Sequence, residues 1–271
     1  MFLHVLKNEN AVAKRQGMCY DVVTMLFTHK IWRLLMDISG LQKLTLLDFP
    51  GRTACTVFLA GCNFRCPFCH NSGLLTTDEE PLMDDEELLE FLRRRKGLLD
   101  GVAVTGGEPT LRRELPELLR RIRELGYPVK LDTNGSRPEL LRSLIEEGLV
   151  QYAAMDIKNS PERYGQTVGL EHLNLPPVLE SMKLLMEGRI DYEFRTTVVE
   201  ELHDADSFRG IGQMLEALAP GKKAAHYFLQ PFADRDSVLY SGFHAPSRSQ
   251  MEEYRNILVP FVQEIAIRGQ D

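Results

Sequence analysis

The chain predicts an α/β fold whose parallel sheet curls toward a barrel, and three observations lead there. Short apolar runs rich in β-branched residues alternate with amphipathic helical segments at the spacing of βαβ units, and six such units follow one another from Ala54 onward. The polar motifs fall at the C-terminal ends of successive strands, where (β/α) barrels build their sites; a doubly wound open sheet would gather them at one switch point. The length, 271 residues, suits one large α/β domain better than two small ones.

Residues 1–35 stand apart from this rhythm. They carry scattered apolar residues without clean periodicity, together with the single Trp, Trp32. They read as an N-terminal extension outside a core domain of residues 36–271; the alternative is a helix over Val22–Leu35 packed on the body. A secretory signal would show a basic start, a continuous apolar stretch and a small-residue cleavage site, and none is present.

From Met36 the elements follow in order. Gln42–Phe49 is expected as a short strand or hairpin leading into a turn at Pro50-Gly51. Ala54–Ala60 (ACTVFLA) is an apolar run bounded by glycine and reads as a buried strand. Asp84–Lys96 sets Leu88, Leu89, Phe91 and Leu92 at helical spacing behind acidic residues suited to a helix start. Gly101–Thr105 is the second strand, Leu111–Leu125 a helix, and Pro128–Leu131 the third strand. Pro138–Glu147 is helical, with proline in the first turn. Tyr152–Ile157 is a strand, Leu175–Glu187 a helix, and Tyr192–Val199 (YEFRTTVV) a strand rich in β-branched residues. Asp206–Leu218 is a helix, Ala224–Gln230 the sixth strand, and Arg248–Ile267 an amphipathic closing helix.

Composition narrows the function. A hydrophobic content of 44% is that of a globular protein with a sizeable core, and no apolar run reaches membrane-spanning length. The net charge of −7 argues against a general nucleic-acid or anionic-membrane surface. Five cysteines, three of them in one loop, point to a reducing cytoplasm rather than a disulfide framework. Cys19 and Cys55 lack metal-ligand spacing, and Cys55 sits in an apolar run as a small buried side chain.

The loop Gly61–Asn71, GCNFRCPFCHN, carries the strongest signal. Cys62, Cys66 and Cys69 stand in CxxxCxxC spacing directly after the first strand. Thiolates favour Fe–S clusters, zinc or Cu(I). Three of them can hold three irons of a cubane and leave the fourth iron open. A structural zinc site wants four protein ligands; only His70 is near, and as the neighbour of Cys69 it would be strained to share a tetrahedron.

Further motifs follow the next strands. Gly106-Gly107-Glu108-Pro109 offers close backbone approach and one carboxylate; the plain alternative is a β-to-α turn with Glu108 opening the helix. Asp132-Thr133-Asn134-Gly135, and Asp156 with Lys158, set acceptors and a cation on adjacent strand ends. Asp132 could equally be a turn residue, and Lys158 a solvated one. The carboxylates with Thr133 could also hold a monovalent or divalent cation, which prefers oxygen. Arg195, a charge inside an apolar strand, needs a carboxylate, either a structural one such as Asp156 or a ligand's, and the ligand is preferred. His203 and His226 read as ordinary polar residues.

Assembled, Cys62-x-x-x-Cys66-x-x-Cys69 with Phe68, Cys69-His70-Asn71, Gly106–Pro109, Asp132–Gly135 and Met155–Lys158 make the chain from Met36 onward resemble the radical S-adenosylmethionine (SAM) superfamily. Within it, the chain is most similar to the glycyl-radical-enzyme activating proteins, in the anaerobic ribonucleoside-triphosphate reductase branch. The resemblance implies a partial (βα)6 TIM-like barrel holding a [4Fe–4S] cluster on Cys62, Cys66 and Cys69, with SAM on the open iron. It implies contacts to the SAM amino group from Gly106, Gly107 and Glu108, and places Phe68 and His70 by the adenine. Lys158 and Arg195 become candidates for the carboxylate; Asp132, Thr133 and Asp156 for a monovalent cation beside it; Asn134, in the same segment, is a cofactor-binding candidate. The implied reaction is reductive cleavage to a 5′-deoxyadenosyl radical that takes a hydrogen atom from a glycine of a partner, with anaerobic ribonucleotide reductase as the expected partner.

One departure bears on the electron supply. Asn71 to Thr105 contains no cysteine, so a single cluster is expected, fed by flavodoxin or ferredoxin. A second reading aims the same radical chemistry at a small molecule or RNA base, as 7-carboxy-7-deazaguanine synthase does. A third is a non-enzymatic zinc or electron-carrying module, which leaves Gly106–Pro109 and Asp132–Gly135 unexplained.

Overall fold

The computed structural model describes residues 36–78 and 80–269. The expectations for residues 1–35, Cys19 and Trp32 among them, lie outside the described residues. β1 (Asp37–Ile38), β2 (Gly40–Thr45), β3 (Ala54–Leu59) and β4 (Met83–Asp84) come first. β2 and β3 form an antiparallel hairpin, and β1 pairs with β4 in a separate ladder. The loop between β2 and β3 turns at Gly51, whose φ of +71° suits glycine.

From β3 onward each strand of the main sheet lies parallel to the next. These are β5 (Gly101–Gly106), β6 (Val129–Thr133), β7 (Tyr152–Asp156), β8 (Asp191–Val198), β9 (Ala224–Pro231) and β10 (Val262–Ile267). The order across the sheet is β10-β9-β8-β7-β6-β5-β3-β2. Seven helices intervene: α1 (Asp85–Arg94), α2 (Leu115–Glu124), α3 (Pro138–Glu146), α4 (Tyr164–Thr167), α5 (Pro176–Met186), α6 (Ala205–Leu218) and α7 (Arg248–Leu258).

Local chemistry sets the helix ends. Asp84 caps α1 by accepting from Glu87 N while Glu87 reaches back to Asp84 N. Ser247 and Gln250 do the same for α7. α2 starts at Leu115, later than the apolar pattern from Leu111 suggests, because Pro116 is tolerated only in a first turn.

The closing helix expected over Arg248–Ile267 is corrected. α7 ends at Leu258, a single 3₁₀ turn covers Val259–Phe261, and Val262–Ile267 is β10. Pro260 lacks the N–H that a helix interior requires. The β-branched residues beyond it then pair with β9, from Val262 beside Ala224 to Ile267 beside Leu229. The sheet therefore has one more parallel strand than the six units read from the sequence.

Alternation along the strands gives the sheet two unlike faces. One carries Val57, Leu59, Val102, Val104, Val129, Leu131, Phe194 and Leu229, all fully buried in the main hydrophobic core. Each such side chain contributes about 1.5–3 kcal/mol over its exposed state. Cys55 shares this face at 0% exposure, and burial pushes its thiol up to about 12. Cys55→Ala should cost about 1 kcal/mol in melting stability and leave iron content at the wild-type level, checked by thermal melts and iron analysis. The other face carries Thr105, Lys130, Asp132, Asp156, Glu193, Arg195, Thr197 and Gln230.

Candidate active site

A cavity of about 390 Å³ is lined by residues at or just after the ends of six consecutive parallel strands. Cys62, Cys66 and Cys69 follow β3, and Thr105, Gly106 and Gly107 close β5. Asp132 and Thr133 end β6, Asp156 ends β7, Arg195 and Thr197 lie on β8, and Gln230 on β9. Six strands laid flat would spread these ends over about 24 Å. A single cavity of this size can meet all of them only because the sheet is curled.

The cysteine loop is tied down along its length. Gly61 N and Cys62 N donate to Leu74 O and Leu75 O at 2.8 and 3.1 Å, closing the loop at its base. Arg65 N donates to Val168 O at 2.8 Å. Arg65 O lies where a Cβ on Gly169 would come within 2.3 Å. Phe64 N points at a sulfur, lying 3.4 Å from Cys62 Sγ. Burial pushes the Cys66 thiol up to about 11, with Lys158 opposing, and raises Cys62 against the Phe64 N–H.

The three thiols face one cavity, yet among the described residues no three His, Cys, Asp or Glu converge to hold a single metal ion. Three thiolates on one cavity suit a cubane, in which each sulfur takes a different iron, better than a structural zinc, which wants four protein ligands. His70, the fourth zinc candidate, stacks on Phe232 at 5.4 Å, and its Nε2 donates to Ala233 O at 2.6 Å. The donor set therefore fits an Fe–S cluster with one iron left to a ligand.

Gly106 and Gly107 serve the protein's own packing as well as any ligand. A Cβ on Gly106 would come within 2.1 Å of Leu59 O, and one on Gly107 within 2.3 Å of Gly61 O. The glycine pair lets the end of β5 press against the end of β3 and the cysteine loop. Gly107 N and Glu108 N complete the seam by donating to Leu59 O and Gly61 O at 2.9 and 2.7 Å.

Glu108 is 1% exposed and is not among the residues lining the cavity; its carboxylate is turned to the protein's own donors. Its Oε1 accepts from Thr110 N at 3.1 Å, from the Thr110 hydroxyl, and from Thr133 Oγ1 at 2.8 Å. Its Oε2 accepts from Asn134 N at 2.6 Å. Burial raises the carboxyl above its usual range, against those hydrogen bonds. Glu108 is a buried clamp between the ends of β5 and β6. Asn134 extends the clamp, since its Nδ2 donates to Asn63 Oδ1 on the cysteine loop at 2.9 Å.

Charges interlock on the concave face. Arg195 Nε donates to Asp156 Oδ1 at 3.0 Å and its Nη1 to Asp132 Oδ2 at 3.1 Å. Lys158 pairs with Asp156 at 3.1 Å, and Lys130 with Asp132. Burial alone would push Asp156 up, but Arg195 and Lys158 hold it at about 2. Lys158, read as solvated in the plain alternative, is largely buried and holds its proton tightly, because Asp156 and Cys66 outweigh the burial that would strip it. Arg195 thus has the structural partner that the sequence left open, and still lines the cavity. The oxygens expected around a cation are committed elsewhere. Asp132 and Asp156 face these basic groups, and the Thr133 hydroxyl is turned to Glu108.

Several participants carry no signal in the sequence. The segment after β9 roofs the cysteine loop: Tyr240 N donates to Pro67 O at 3.3 Å and Ser72 Oγ to Ser237 O at 2.5 Å. Phe243 packs edge-on to both Phe68 and Phe232 at 6.5 and 6.4 Å. Asn71, by contrast, closes the Cys69-His70-Asn71 motif, and its Nδ2 donates to Gly106 O at 3.2 Å. Thr105, Thr197 and Gln230 join the lining, and their position at strand ends was the one available clue.

Comparison with known proteins agrees with this geometry. The family model described as "Radical SAM superfamily" matches residues 56–209, more than half of the chain. The Methanocaldococcus jannaschii protein named "Putative glycyl-radical enzyme activating enzyme MJ1227" is 29% identical over 241 residues, covering 85% of this chain and 95% of that protein. A "Probable GTP 3',8-cyclase" of Thermococcus kodakarensis is 29% identical over 63% of this chain and 58% of its own length. A 7-carboxy-7-deazaguanine synthase of the same organism is 28% identical over 63% of this chain and 73% of its own. Among solved structures, a domain of pyruvate-formate lyase-activating enzyme from Bacteroides vulgatus ATCC 8482 superposes with a TM-score of 0.51 at 20% identity, over 62% of this chain and 99% of that one.

Proposed function

The chain belongs to the radical SAM superfamily, and from that premise we propose that it activates a glycyl radical enzyme, with anaerobic ribonucleoside-triphosphate reductase as the expected partner. The observation that carries this reading is coverage: the similarity to the M. jannaschii protein spans 95% of that relative, against 58% and 73% for the cyclase and the synthase. Cavity charge supports it. The lining holds Lys158 and Arg195 against Asp48, Asp132 and Asp156, and both cations are already paired with carboxylates. A triphosphate needs surplus donors of positive charge; an uncharged peptide glycine does not.

When bound, the [4Fe–4S] cluster and SAM supply one-electron cleavage of the sulfonium and, from it, hydrogen-atom abstraction. The chain's own residues bind and orient. Cys62, Cys66 and Cys69 hold the cluster, and Gly106 and Gly107 present backbone beside it. Lys158 and Arg195 offer donors to the amino-acid carboxylate, and Asp156 keeps both fixed. Phe68 and His70, packed against Phe243 and Phe232, wall one side of the cavity and exclude water. With no cysteine between Asn71 and Thr105, the electron comes from outside, from a flavodoxin or ferredoxin.

The test is anaerobic incubation with the candidate reductase, a reductant and SAM. A glycine-centred paramagnetic signal on the partner, with stoichiometric 5′-deoxyadenosine, is expected. Turnover of a small purine or pterin with no such signal would overturn the activase reading in favour of a synthase-like one.

A further inference from the structure

Glu193 is the most deeply buried acid on the concave face that the proposed chemistry does not use, at 1% exposure. It lies on β8 two residues before Arg195. Its two oxygens accept from Arg268 Nη1 and Nη2 at 2.9 and 2.8 Å, the forked geometry that fits a guanidinium to a carboxylate. Tyr152 Oη donates to it at 2.9 Å. Arg195 Nη1 stands 4.0 Å away, too far for a hydrogen bond and near enough to be drawn in.

Arg268 reaches this acid from the far edge of the sheet. It directly follows β10, where its N donates to Leu229 O at 2.9 Å. Its guanidinium then lies over the Phe228 ring, 3.3 Å from the centroid, on the way to Glu193. The last described strand thus sends one side chain across β9 to the floor below the cofactor cavity.

We infer that Arg268 is a positioning residue for Arg195: by satisfying Glu193, it leaves Arg195 to Asp132 and Asp156 at the cavity wall. A buried carboxylate stripped of its charged partner is strongly unfavourable, even with the Tyr152 hydroxyl still donating to it, and draws in the nearest cation. Here that cation is Arg195, and answering Glu193 would draw it down β8 and out of the cavity. The C-terminal edge strand is in this way coupled to the part of the site assigned to the SAM carboxylate. The consequence for SAM rests on the proposed role of Arg195; the coupling itself does not.

Three variants test it, Arg268→Ala, Arg268→Ala combined with Glu193→Gln, and Arg195→Gln, each read by crystal structure of the metal-free protein, iron per chain and anaerobic SAM binding. In Arg268→Ala, Arg195 should pair with Glu193 and leave Asp156. SAM should then bind about tenfold more weakly, the scale of one charge-assisted hydrogen bond, with iron unchanged. Adding Glu193→Gln should return Arg195 to its aspartates and SAM affinity to within about twofold, which loss of packing over Phe228 would not allow. If Arg268→Ala fails to fold, Arg268→Lys keeps the charge but loses the fork, and should show the same shift in part. Arg195 unmoved in the single variant, or affinity not rescued in the double, overturns the inference. Full SAM affinity in Arg195→Gln would instead overturn the role given to Arg195, with the crystal structures still deciding the coupling.

Discussion

Replacing Cys62, Cys66 or Cys69 singly by alanine should take iron and sulfide to background and abolish reductive SAM cleavage in the same variant. Loss of groups behind a metal's ligands costs about 10–100-fold in affinity, so loss of a ligand exceeds that. Among the described residues no other thiol can substitute. Cys55 lies on the opposite face of β3 with its thiol pushed up to about 12, and His70 is held by Ala233 and Phe232. The fold should survive, because the loop is anchored through backbone at Leu74, Leu75 and Val168 and not through the thiols. The metal-free variants should melt within about 2–4 °C of the metal-free parent, the shift for ~1 kcal/mol in a domain of this size. Iron retained at parental levels in any of the three would sink the cluster assignment.

Much of this was legible in the sequence, and the reason is local. The strands from Ala54 to Gln230 are short and apolar, and each is followed by a turn motif, so period and punctuation agree. The convergence of the cysteine loop, Gly106-Gly107, Asp132-Thr133 and Asp156 then follows from parallel strands, whose C-terminal ends share one rim. The C-terminal segment was ambiguous for an equally local reason. Leu258, Val262 and Ile265 fall at i, i+4 and i+7, a helical stripe, while Val262–Ile267 is also strand-like; Pro260 was the residue that decided between them.

What could not be read was non-local. The roof over the cysteine loop joins His70 to Ala233 and Ser72 to Ser237 from an irregular segment with no period of its own. Which way Arg195 turns depends on Asp132, on another strand. The glycine pair is legible as a need for close approach, but the group that approaches is the protein's own backbone at Leu59 and Gly61. A pattern of residue types marks where side chains vanish or charges gather. It does not say which neighbour fills the space.

Glu108→Gln, conservative in shape, should be among the most damaging single changes outside the cysteines. Oε1 accepts from three donors and Oε2 from Asn134 N, so whichever end takes the amide sets a donor against a donor. The site is fully buried, and an unsatisfied buried group costs about 1–3 kcal/mol, more where a charged acceptor is lost. A loss of about 3 kcal/mol corresponds to roughly 6–12 °C in melting temperature for a domain of this size. The damage should spread along the clamp. Asn134 no longer anchored at its N–H releases its hold on Asn63, and iron loading should become slower even though no thiol has been touched. Thermal melts of the metal-free protein together with iron uptake measure both parts. A variant that melts normally yet binds SAM weakly would show instead that the carboxylate turns into the cavity when the cofactor is present.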